Sequence, residues 1–78
     1  MSLSDERETW DKLSTLLRIL SDGLWHNTVA LSQSTGLPEN LTLDFVEFLS
    51  RFNLVEFDRR LKRVRAVEEF ADLLKRGV

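Results

Sequence analysis

Apolar residues at Trp10, Leu13, Leu16, Leu17 and Leu20 recur at the spacing of one helical face. Ser4, followed by Asp5, Glu6 and Glu8, supplies a start signal: a side-chain oxygen to cap free amides, with carboxylates beside the positive end of the helix dipole. Ser21-Asp22-Gly23 supplies the stop, and a first helix is predicted from about 5 to 21 with Ile19 outside its stripe. Leu24-Trp25-His26 is too short to stand alone as a strand, so it is expected to add a third edge to a sheet. It ends at Asn27 or Thr28, either of which caps a short helix over 28–35, closed by Gly36.

Pro38 then stands at the entrance of a third helix over 39–52. At 100° per residue, Leu41, Phe45, Phe48, Leu49 and Phe52 fall on one side with Val46 at the margin, so this helix is expected to bury a broad aromatic face. Its other side carries Leu43, Asp44, Glu47, Ser50 and Arg51, and Asn53 marks a left-handed exit.

Beyond the exit, Leu54–Asp58 and Leu61–Ala66 both alternate with period two around Arg59-Arg60, which predicts a hairpin. Pairing 57 with 62 sets Val55 against Val64 and Glu56 against Arg63, two favourable cross-strand pairs. Val67, Phe70, Ala71 and Leu74 complete the pattern with an amphipathic helix over about 67–76.

With 78 residues there is room for one domain, 1–78, and a domain of this size buries only about 60–65% of the surface of its unfolded chain. Apolar residues make up 42% and charged residues 31%, which excludes disordered and low-complexity classes. No apolar run approaches the ~20 residues that cross a bilayer, so a soluble, cytoplasmic protein with no membrane contact is expected.

The chemistry available is limited. Zero Cys and a single His exclude zinc-finger spacing and cysteine nucleophiles, and the isolated glycines form no phosphate-binding loop. His26 is read as structural, and acidic pairs such as Asp5-Glu6 and Glu68-Glu69 as solvent-facing helix ends. No enzyme activity, catalytic residue, metal or cofactor is therefore expected. The net charge of −2 is unevenly spread: residues 1–50 carry three basic and eight acidic side chains, residues 51–78 eight and five.

The order helix, short strand, short helix, turn, helix, hairpin, helix, with the segment Asn27–Pro38 and the exit Phe52-Asn53-Leu54-Val55, resembles the winged helix-turn-helix superfamily, particularly its small prokaryotic and archaeal regulators. The resemblance covers nearly the whole chain. It implies a mainly α fold with a small antiparallel β-hairpin: a three-helix helix-turn-helix core, a wing and a C-terminal helix. It also implies a double-stranded DNA-binding module of a transcription regulator, its third helix in the major groove and its hairpin on backbone or minor groove. In the third helix this chain departs from that pattern, because the outward residues Glu39, Asn40, Leu43, Asp44, Glu47 and Arg51 carry a net charge of −2.

On this reading Arg59, Arg60, Lys62, Arg63 and Arg65 meet phosphates, and Asn40, with Gln33 and Ser34, makes the helix-side contacts. The reading requires those guanidinium groups to be free of neighbouring carboxylates; a pairing of Arg63 with Glu56 would already weaken one of them. The blander reading of the basic hairpin is a charged edge that discourages strand-to-strand aggregation. The alternative function is a winged-helix protein-interaction or assembly domain, in which Leu43, Asp44 and Glu47 meet a basic protein partner. Ile19 and Leu73, outside the helical stripes, would mark the seam of a homodimer.

Overall fold

The computed structural model describes residues 3–77, which form four helices and a three-stranded antiparallel sheet. Helix α1 (Leu3–Leu20) leads into β1 (His26–Asn27), α2 (Thr28–Thr35), α3 (Glu39–Arg51), β2 (Val55–Asp58), β3 (Arg63–Ala66) and α4 (Glu68–Gly77). Helix α1 is already under way at Leu3, so Ser4 stands inside it instead of ahead of it; the capping side chain expected at Ser4 lies outside the described side chains. No helix among the described residues is long and apolar enough to cross a membrane.

Local sequence chemistry sets the helix ends. The Asn27 Oδ1 accepts from the backbone N–H groups of Val29 (2.9 Å) and Ala30 (3.1 Å), capping α2. Gly36 closes α2 at φ 78°, a left-handed conformation, and its N–H donates to the Ser32 carbonyl at 2.9 Å. Between α2 and α3, the Ser32 hydroxyl donates to the Leu37 carbonyl, and the Thr35 hydroxyl accepts from the Leu37 N–H. The Thr42 hydroxyl donates to the Pro38 carbonyl within the first turn of α3. Asn53 takes φ 58° at the exit of α3, as its position predicts.

The sheet order is β1-β3-β2, with His26 opposite Val64 and Val55 opposite Ala66. The observed register differs from the expected one by two residues: Glu56 faces Arg65 and Asp58 faces Arg63. A two-residue turn of the usual hairpin types needs positive φ at one or both central positions, and Arg59-Arg60 offers neither Gly nor Asn. The connection instead spans residues 59–62, with the single positive φ, 52°, at Lys62. A shift of two leaves each side chain on its own face, so the separation of core from solvent survives.

The core draws on every helix and on the inner face of the sheet. Leu16, Leu20, Leu31, Leu37, Val46 and Leu49 meet Val55, Val64, Phe70, Ala71 and Leu74, all buried. Ile19 also packs against this core, contrary to the expectation that it lies exposed at a dimer seam, whereas Leu73 on α4 is exposed.

Two aromatic expectations are overturned. Trp10 is 67% exposed, although its spacing continues the stripe of α1 that buries Leu16 and Leu20. In α3 the buried line is Thr42, Val46 and Leu49, turned by roughly 80° from the aromatic stripe at 100° per residue. Phe48 and Phe52 are therefore 52% and 62% exposed. Thr42 takes the buried position because its hydroxyl is satisfied within its own helix and its small side chain allows close approach.

Candidate interaction surface

The hairpin connection is held from inside. Asp58 Oδ1 accepts from the backbone N–H groups of Arg60 (3.0 Å) and Leu61 (3.1 Å), a turn the Asp side chain builds for itself. At the far end, the Lys62 carbonyl accepts from the Thr28 N–H at 2.8 Å and the Thr28 hydroxyl at 3.2 Å. The start of α2 thus fixes the base of the hairpin while Arg59, Arg60, Leu61 and Lys62 remain exposed.

Three of the five hairpin cations contact carboxylates. Arg59 Nη1 lies 2.7 Å from Glu47 Oε1 and its guanidinium stands 5.6 Å from the Phe57 ring centre. Arg65 Nε donates to Glu56 Oε2 at 2.8 Å. Arg63 Nε is buried without a hydrogen bond, 3.7 Å from Asp58 Oδ2. The shifted register causes the last two pairs, so Glu56 takes Arg65 instead of the expected Arg63. Among the described residues, Arg60 and Lys62 are the two hairpin cations in no ion pair.

Trp25 completes the outer face of the sheet. Continuing the β1–β3 register places it beside Arg65, and the guanidinium groups of Arg63 and Arg65 stand 4.5 and 4.8 Å from its ring centre. The sequence signal for this was available: Arg63 and Arg65 share one face of a strand, and Trp25 directly precedes the residues that pair with it.

The Arg59–Glu47 contact brings the hairpin and the outward face of α3 onto one side of the molecule. On α3, Glu39, Asn40, Asp44 and Arg51 are exposed, and Leu43 and Glu47 half-buried. Gln33 and Ser34 are exposed near the end of α2. The cations therefore share their surface with carboxylates of α3, and the positive field expected of the hairpin is partly cancelled there.

Elsewhere, His26 Nε2 lies 2.9 Å from Asp22 Oδ1 and 3.0 Å from Oδ2. Partial burial raises the Asp22 pKa, but the His26 hydrogen bond, the Leu24 N–H and the charges of His26 and Lys75 outweigh it, and the net shift is downward. Asp22 borders a cleft of about 480 Å³ between the ends of β2 and β3 and the start of α4, lined also by Glu56, Arg65, Glu68, Asp72 and Lys75. No group of three or more His, Asp or Glu side chains among the described residues is placed to hold a metal ion. Comparison with known proteins finds no family model, no curated protein and no solved structure that matches the chain.

Proposed function

We propose that this chain is a winged-helix module that works by binding protein, with Leu43, Asp44 and Glu47 on the outward face of α3 as the contact surface for a basic partner whose cations displace Arg59 from Glu47. The order of helices and strands supports the winged-helix assignment: α2 and α3 form the helix-turn-helix pair, and β2, β3 and their connection form the wing. One observation carries the choice of function, the Glu47–Arg59 pair at 2.7 Å. It sets helix acids beside wing cations, where a groove-reading surface would need uniform positive charge.

The test is an NMR titration of the labelled protein with a Lys/Arg-rich amphipathic peptide. Saturable shifts at Leu43, Asp44 and Glu47, lost in an Asp44→Lys/Glu47→Lys double variant, are expected. Saturable peptide binding that leaves these positions unmoved overturns the reading.

Arg60 and Lys62 support a second reading, contact of the wing tip with duplex DNA, since both are exposed and in no ion pair among the described residues. Two phosphate contacts give a salt slope of only about −1.8, from roughly 0.9 per contact. A wild-type slope of −3 or steeper on random duplex would restore DNA as the principal partner.

A further inference from the structure

We infer that two copies of this chain associate through α3, packed antiparallel about a twofold axis at Phe48. Leu41, Phe45, Phe48 and Phe52 follow one another along one side of α3; the first two pack against the core, and the last two leave it. The Phe48 and Phe52 rings touch, with centroids 5.1 Å apart and planes at 59°, and so form one continuous exposed apolar ridge.

The charges beside the ridge select the occupant. Asp44 lies one turn before Phe48 and Arg51 about one turn after it; both are exposed, and neither is in an ion pair among the described residues. Antiparallel pairing of two such helices puts Asp44 of each copy against Arg51 of the other, twice by symmetry. Parallel twofold pairing would put the charges of the two copies on opposite flanks of the seam, so the ridge is complementary to itself in one orientation only.

Taking about 200 Å² for a phenylalanine side chain, the two rings expose roughly 230 Å² per copy. Over both copies the rings supply about 460 Å², well below the ~1,600 Å² of a standard interface. The dimer is therefore weak and forms at high protein concentration.

This inference rests on α3 being an interaction face, and the two can fail separately. Glu47 lies on the wing side of α3, held by Arg59, outside the seam. Glu47→Lys should weaken the basic peptide and leave the dimer, whereas Phe48→Glu should abolish the dimer and leave the peptide.

Sedimentation equilibrium at about 10–500 μM provides the decisive measurement. The wild type should shift from monomer toward dimer, whereas Asp44→Arg alone and Arg51→Glu alone, each folded by circular dichroism, should stay monomeric at least tenfold further up in concentration. An equimolar mixture of these two variants should recover dimer, because only the mixed pair restores both contacts. A wild type that is monomeric throughout, a dimer that survives Phe48→Glu, or a mixture no more associated than its components would each overturn the proposal.

Discussion

Replacing both Asp44 and Glu47 by lysine tests whether the carboxylates of α3 govern what the basic hairpin can bind. In the wild type, Arg59 is held by Glu47, and Arg63 and Arg65 by strand carboxylates, which leaves Arg60 and Lys62. At about 0.9 per phosphate contact, two cations give a salt slope near −1.8, so affinity for random duplex falls about 12-fold between 50 and 200 mM salt. The double variant releases Arg59 and adds two lysines on the same side, and five contacts give a slope near −4.5, a fall of about 500-fold over the same interval.

Fluorescence anisotropy of a labelled random duplex at several salt concentrations reads the slope directly. Stability should change little, because a surface pair such as Arg59–Glu47, with Arg59 exposed and Glu47 half-buried, contributes only about 0.2–1 kcal/mol. Equal slopes for wild type and variant would refute the argument, because the helix acids would then not share a surface with the hairpin cations.

Two further expectations concern stability. Leu16 is fully buried, and Leu16→Ala should cost about 2–5 kcal/mol, whereas Phe52→Ala, on an exposed ring, should stay within about 1 kcal/mol; thermal melts of the two variants separate them. Because the pKa of Asp22 is held below its usual 3.8, its stabilising contribution is complete above that value and is lost as pH falls through the lower, folded-state pKa. Denaturant titrations should therefore find wild type more stable than Asp22→Asn at pH 6, with the gap closing as the pH falls below 3.8 through the lower folded-state pKa; a gap independent of pH would remove His26 and Asp22 as the cause.

Where an element is bounded by residues with one conformational role, the sequence specifies it closely. Asn27, Gly36, Pro38 and Asn53 mark the ends of α2 and α3, and the observed helices begin and end within a residue or so of those marks. The rotation of α3 is less legible, because hydrophobic spacing cannot anticipate that Thr42, a polar residue satisfied by the Pro38 carbonyl, would take the inner position ahead of Phe48. Trp10 shows the same limit from the other direction: its spacing continues the stripe of α1, but burial requires a packing partner that spacing does not encode, and Trp10 is exposed.

The site was legible as a collection of residues and illegible as an electrostatic arrangement. Alternation fixes the face on which each strand residue lies, and both registers put Glu56, Asp58, Arg63 and Arg65 on the same face; what decides their partners is the length of the turn. A two-residue turn would have given Glu56 to Arg63 and left Arg65 without its strand partner. The four-residue turn, stabilised by the side chain of Asp58 and the left-handed Lys62, gives Glu56 to Arg65 and brings Arg63 to Asp58. A third pair, Arg59 with Glu47, joins residues 12 positions apart and depends on the packing of β2 beside α3, which no local pattern encodes. Cation density in the sequence therefore overstates the positive charge the folded surface can offer a polyanion, and the exposed Phe48–Phe52 ridge, which the same helix rotation creates, becomes the stronger candidate for contact.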